Sequence, residues 1–295
     1  MANLKEVKSR ISSVSSTQQI TRAMKMVAAS KLRRAQERIT QMRPYAQKLG
    51  EILRNVSGGQ GDDDASVYST RREINRVLII AITSDKGLCG GFNSNVFRAT
   101  TALLKEKYVR QYTKEQVVIL PIGKKALDNY RKRGFEIVPD FGGIFSDLSF
   151  DTAKLAAEYA MEAFKNDEYD RVELVYNEFK NVATQIMRTE QFLPIPEAEV
   201  DGESNSNTID YIFEPSKDYI VEELIPTSLK IQFYKALLES NAAEHGARMT
   251  AMDKATENAG ELLKELKLKY NRTRQAAITT EILEIVAGAE ALGGR

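Results

Sequence analysis

Residues 28–56 read AASKLRRAQERITQMRPYAQKLGEILRNV, and this stretch decides how the chain is built. Its apolar positions step by four and three: Ala28, Leu32, Ala35, Ile39, Met42, Ala46, Leu49, Leu53 and Val56. A repeat of ~3.5 residues belongs to a helix that buries a narrow seam against a partner helix and supercoils left-handedly. Upstream, Leu4, Val7, Ile11 and Val14 mark an earlier stripe, residues 15–19 are polar, and Ile20, Met24 and Val27 resume it. The spacing predicts one helix over residues 3–56. Pro44 lies inside it, where a missing amide and a ring clash bend a helix. The register continues past Pro44, so a bend is expected and not a stop. SGGQGDDD at 57–64 ends the helix in loop.

The other end of the chain is also helical. From about residue 228 to 292, strand and turn signals are almost absent and helix formers dominate. A terminal helix with a partner-seeking stripe pairs most economically with the other terminal helix, in antiparallel fashion. At 1.5 Å per residue, roughly 55 and roughly 65 residues give rods of about 80 and 100 Å. The chain looks built to reach. The second helix is expected to start near Ser216 or at Thr227, because Pro226 predicts a kink or a new start capped by Thr227 or Ser228. Its middle carries Ala242, Ala243, Gly246, Ala247, Ala251, Ala255, Ala259 and Gly260. Small side chains let two backbones approach closely, at some cost in propensity for each glycine.

Between the helices the pattern changes. RVLIIAIT at 76–83 is a continuous apolar, β-branched run, typical of a strand buried on both faces of a parallel sheet. A glycine-rich turn at 87–91 follows, then a helix over 93–108, a strand over 116–122, a helix over 124–132 and a strand over 135–138. A helix over 151–166 and a strand over 171–179 come next. Alternating strands and helices imply a mostly parallel sheet with right-handed crossovers. Two last strand candidates, 184–194 and 208–213, are separated only by polar residues and are expected to form an antiparallel hairpin at an edge. The expected fold class is α/β, with an antiparallel coiled coil of the terminal helices and a Rossmann-like domain inserted between them. The boundaries read 1–57, 74–215 and 216–295.

A net charge of +1 over 295 residues argues against a general nucleic-acid binder. The charge is uneven, since residues 1–43 carry ten Lys/Arg against only Glu6 and Glu37. That Ser-rich, basic, acid-poor start imitates a transit peptide, but the helical pattern runs past residue 40 without a cleavage-like break. The single cysteine, Cys89, excludes an internal disulfide and any multi-cysteine zinc site. No apolar run approaches the ~18 residues of a membrane span, so membrane contact is expected only through a partner.

The turn Ser84-Asp85-Lys86-Gly87-Leu88-Cys89-Gly90-Gly91 invites a nucleotide-site reading. A P-loop needs Gly-x-x-x-x-Gly-Lys-Ser/Thr, and Phe92 and Asn93 stand where the lysine and hydroxyl belong. A tight strand-to-helix turn is the better reading, with exposed backbone open to a protein partner. His245 is the only histidine and has no acid–hydroxyl pair placed to make a triad. Asp62-Asp63-Asp64 reads as solvated punctuation in a loop. The basic N-terminal helix, joined by Lys269, Arg272 and Arg274 on the second, fits a solvated coiled-coil face or a surface that meets acidic loops. Nothing reads as a catalytic constellation, and no cofactor is expected.

Four segments carry a family resemblance. ITRAMKMVAASK at 20–31, SDKGLCGGFN at 84–93, GARMTAM at 246–252 and NRTRQAAITTEILEIVAGAEAL at 271–292 resemble, in order, the gamma subunit of rotary F-type ATP synthases. The resemblance spans essentially the whole chain through long, low-degeneracy motifs. It implies a central stalk whose terminal helices form a shaft inside a ring of three alpha and three beta subunits. The α/β domain then sits near the epsilon subunit and the membrane c-ring, with delta, a and b subunits in the same complex. ATP chemistry falls to beta, so this subunit is expected to be non-catalytic. By motif, Met24, Arg274, Gln275, Thr279 and Glu281 would face the beta subunits, with Arg248 near the bearing. Tyr211, Phe213 and Glu214 belong to a segment that resembles the part approaching the c-ring. The absence of a convincing transit peptide favours a bacterial enzyme, peripheral on the cytoplasmic face of the inner membrane. Chloroplast forms carry a two-cysteine regulatory insertion that this chain, with Cys89 alone, does not match. Two other classes compete: a nucleotide-handling α/β enzyme with a coiled-coil extension, and a basic tether for nucleic acid. Both leave the paired termini unexplained.

Overall fold

The computed structural model describes residues 4–57, 67–196 and 217–293. Two long helices bracket the chain, α1 (Leu4–Ser57, 54 residues) and α6 (Lys217–Gly293, 77 residues). Both contain a proline and neither is interrupted by it. Of the two starts the sequence left open, the one near Ser216 is observed: α6 begins at Lys217 and runs through Pro226 without a new start at Thr227. Losing one backbone bond there costs about 3 kcal/mol. Burial of Ile225, Leu229 and Phe233 on the same stretch offsets that, at about 1.5–3 kcal/mol for each large side chain.

The chain forms two compact units, one of residues 29–248 and one joining residues 1–28 to 249–295. In the first, a five-stranded sheet has the order β3-β2-β1-β4-β5. Strands β1 (Val77–Ile82), β2 (Val117–Ile122), β3 (Glu136–Ile137) and β4 (Arg171–Phe179) are parallel, and β5 (Gln185–Leu193) runs antiparallel to β4. All six residues of β1 and of β2 are buried, as the unbroken apolar runs predict. Leu78, Ile80 and Ile82 face α5 (Phe150–Lys165), through its Ala153, Ala156, Ala157 and Ala160, together with Phe233 of α6. Val77, Ile79 and Ala81 face the opposite layer, Val96 and Leu104 of α2 (Phe92–Glu106) and Ala126 and Tyr130 of α4 (Lys124–Lys132).

Local chemistry sets several boundaries. Ser149 starts α5 with a capping box, its hydroxyl accepting from the Thr152 amide while Thr152 Oγ1 accepts from the Ser149 amide. Gly123 ends β2 with φ +92°, a conformation that L side chains rarely adopt. A short helix, α3 (Val109–Thr113), was not legible in the pattern. Strand β5 runs antiparallel to β4 at one edge of the described sheet, joined to it through the turn at 180–184. The 208–213 segment lies outside the described residues.

In the second unit the two helices run antiparallel. Thr21 Oγ1 lies 2.8 Å from Thr256 Oγ1, Gln18 Nε2 donates to the Thr256 carbonyl at 3.4 Å, and Lys25 Nζ pairs with Asp253 at 2.5 Å. Small residues bring the backbones close, for a Cβ on Gly260 would stand 2.9 Å from Gln18 Nε2. Continuing this register pairs Leu4 with about residue 273. Beyond that point α6 extends past the described length of α1. Among the described residues its last buried apolar side chain is Leu266, and from Arg274 to residue 289 the side chains are almost all exposed.

Candidate functional site

In an open α/β sheet, ligands bind where the strand order reverses, outside the C-terminal ends of the strands. Here that point lies between β1 and β4. It is occupied by the chain itself. After β1, the Ser84 amide donates to Asn93 Oδ1 at 3.0 Å, and Asn93 Nδ2 donates to Ser84 Oγ at 2.9 Å and to Cys89 Sγ at 3.3 Å. Leu88 (φ +63°) and Gly90 (φ +58°) close the turn in the left-handed region, which buries Cys89 and leaves Leu88 exposed.

From α6, Arg248 Nη2 donates to the carbonyls of Lys86 at 2.9 Å and Gly87 at 3.3 Å, while Nη1 pairs with buried Glu244. Nine residues earlier, the Glu239 side chain is 1% exposed. Its Oε1 accepts from Arg43 of α1, at 3.2 Å from Nε and 3.0 Å from Nη2, and its Oε2 accepts from the Phe179 amide at 3.2 Å. Arg43 Nη2 also reaches the Phe179 carbonyl at 3.4 Å. A phosphate cradle turns backbone N–H groups toward an anion. This turn instead offers carbonyls to a guanidinium, and the Ser84 amide is held by Asn93. The arrangement fastens helices to strand ends. Among the described residues, no group of three or more His, Cys, Asp or Glu is placed to hold a metal.

His245 lies between these two fasteners. Burial, with Arg248 and Lys31 nearby, pushes its pKa down from 6.5 to about 4. Glu244 is shifted up by burial, against the opposing pull of Arg248 and Lys31 and with help from Asp85. As pH falls below 6.5 the unfolded chain protonates at His245 before the folded chain does. Its contribution is therefore complete above about pH 6.5 and is lost as pH falls toward 4, by about 3 kcal/mol at most. Glu244 acts in the opposite sense, since its raised value favours proton binding by the folded state. Comparing parent and His245→Gln isolates the histidine. Urea unfolding between pH 6.5 and 4 should show a shallower loss of stability in the variant; equal slopes would refute the assignment.

The residues singled out in sequence fall in three places. Arg248 is mostly buried and bound within the chain. Met24 is half-buried on α1. Arg274, Gln275, Thr279 and Glu281 are exposed along α6, where Thr279 Oγ1 donates to the Gln275 carbonyl at 2.9 Å. Tyr211, Phe213 and Glu214 lie outside the described residues. Glu239 and Arg43 escaped the sequence reading. The available signal was a carboxylate inside the otherwise apolar and small run ALLESNAA at 236–243, since a charge on a buried helix stripe needs a partner.

The ATP synthase family profile matches residues 3–292. An ATP synthase gamma chain of Cytophaga hutchinsonii is 60% identical over 293 residues, 99% of each chain. The chain belongs to the ATP synthase gamma chain family. Its gamma-chain relative in Christiangramia forsetii is 55% identical over the full length of both. A chain in the mitochondrial ATP synthase central stalk and c-ring of Tetrahymena thermophila is 26% identical, with a TM-score of 0.56 over 80% of this chain and 99% of that one. At 21% identity, a chain in the Euglena gracilis assembly of OSCP, F1 and c-ring shares the fold, with a TM-score of 0.66 over 98% of this chain and 94% of that one. The paired terminal helices and the sheet between them are thus the gamma-chain fold. Among the described residues, no helix is long and apolar enough to cross a membrane.

Proposed function

We propose that this chain, a rotor subunit of an F-type ATP synthase, transmits torque between the membrane c-ring and the catalytic alpha/beta hexamer and does no chemistry itself. The observation that carries the reading is the switch point of the α/β fold. Where a nucleotide-binding relative of this architecture would hold phosphate, Arg248, Glu244 and Glu239 of α6 fasten the helix to the turn after β1 and the end of β4. The match to ATP synthase gamma chains over nearly the whole chain supports placing it in that assembly.

On this reading the partners are three alpha and three beta subunits, epsilon and the c-ring, with delta, a and b in the same complex. Met24, Arg274, Gln275, Thr279 and Glu281 face the beta subunits, and exposure of the α6 residues supports that role. Arg248 acts at the bearing through the turn it holds, because its guanidinium is already engaged. Tyr211, Phe213 and Glu214 serve the c-ring side. The chain is peripheral, on the cytoplasmic face of a bacterial inner membrane.

The test is purification from native membranes combined with titration of the isolated chain. One copy should accompany three each of two larger ATP-binding subunits, and calorimetry with Mg-ATP should show no tight site. Stoichiometric, tight nucleotide binding by the isolated chain would replace the rotor reading with an enzymatic one.

A further inference from the structure

We propose that Glu239, gripped by Arg43 and by the Phe179 amide, is the register pin through which torque passes between the α/β sheet and both long helices. The inference rests on the rotor reading. Three elements meet at one carboxylate: α6 through Glu239 itself, α1 through Arg43, and the C-terminal end of β4 through Phe179. Both carboxylate oxygens are used, one by the guanidinium and one by the strand.

Against the strands themselves α6 otherwise presents apolar side chains such as Phe233, Ala236 and Leu237, while its second polar fastener, Arg248, holds only the turn after β1. Apolar contact is nearly non-directional and permits sliding. A hydrogen bond weakens steeply when its angle falls below about 120°, so it resists rotation of one element past another. Nor is the arrangement explained by stability alone. Desolvating a carboxylate costs several kcal/mol, and a well-packed apolar replacement is often as stable as a buried ion pair. What an apolar pair cannot supply is fixed register. Next to the pin, a Cβ on Gly246 would stand 3.4 Å from the Phe179 ring and 3.6 Å from the Val182 carbonyl, so α6 is held hard against the same strand end. Arg43 ties α1 to that point as well. Both helices then follow the sheet together when it is driven.

The test uses the whole membrane complex carrying Arg43→Met with Glu239→Gln. Glutamine keeps an acceptor for the Phe179 amide, and methionine keeps the bulk of the arginine stem. Ions pumped per ATP hydrolysed are measured with and without an opposing ion gradient. The double variant should assemble, hydrolyse ATP within about twofold of the parent, and keep its ratio at zero gradient. Under an opposing gradient the ratio should fall roughly tenfold, as loss of charge-assisted bonds implies. Arg43→Lys, which keeps the ion pair but not the fork, should restore most of it. A load-independent ratio equal to the parent's overturns the pin, and so does failure of the double variant to assemble, which makes the pair a folding element. If the parent complex lacks this chain or does not pump, it is the rotor reading that falls.

Discussion

Replacing Gly123 with alanine is expected to destabilise the α/β unit by about 3–5 kcal/mol, out of the ~5–15 kcal/mol that holds a typical protein folded. Gly123 follows β2 at φ +92° and ψ 141°, a region that essentially only glycine occupies. The added Cβ would stand 2.3 Å from the Thr83 carbonyl oxygen and 2.8 Å from its carbon. These are backbone atoms and have nowhere to go. Thr83 is fixed on both sides, its amide donating to the Ile122 carbonyl at 2.8 Å and its Oγ1 accepting from the Ala126 amide at 2.8 Å. Relieving the clash means parting the ends of β1 and β2 or tilting the start of α4. Gly134 supplies the control. It also has a positive φ, +77°, but nothing lies within 4 Å of its Cβ position. Gly134→Ala should cost only the conformational term, about 1–2 kcal/mol. Thermal unfolding of both variants separates clash from backbone strain. Equal melting temperatures would show that the strand ends yield without cost.

The architecture was legible because it rests on periodicity. The 3.5-residue seam of α1 appears as buried Ala28, Leu32, Ala35, Ile39 and Leu49. The unbroken run at 76–83 appears as a strand buried on both faces, since a parallel strand covered by helices has no polar side to alternate with. What the sequence left open is decided by tertiary contact. Pro226 breaks an isolated helix, but here Phe233 and Leu237 are buried against the sheet and hold α6 together. The pairing of β5 with β4 joins strands that the sequence predicts without assigning them to each other.

Of the candidate site, the motif residues could be found but not their state. Arg248 is singled out only by the family resemblance, through the motif at 246–252. Only the fold shows that its guanidinium is held by Glu244 and by the Lys86 and Gly87 carbonyls. The Arg43–Glu239 pair lies 196 positions apart in the chain, so no local pattern joins it.

The distal end of α6 carries the second large effect. Ile278, Ile282 and Ile285 are 47%, 54% and 71% exposed, and their spacing of four and three places them on one face of the helix. Leu283 and Val286 widen the apolar arc. An apolar patch left in water by a folded chain marks a surface that a partner covers. Here the cause is geometric, because this stretch lies beyond about residue 273, where the antiparallel register with the described part of α1 ends. An apolar row suits a seat in which a shaft turns, since its contacts fix no single angle and no ion pair must break between positions. Completing the burial of three isoleucines is worth about 1 kcal/mol each after allowing for what is already covered. Replacing all three with glutamine should therefore weaken binding of the isolated chain to an alpha/beta assembly by roughly a hundredfold. The melting temperature of the chain alone should barely move, because exposed positions contribute little to its own folding. The two readings must be taken together. Weaker binding with unchanged melting assigns the row to the partner. Unchanged binding would show that the shaft is held elsewhere along α6, and Arg274, Gln275, Thr279 and Glu281 would then have to carry the contact through polar bonds that each rotary step must break.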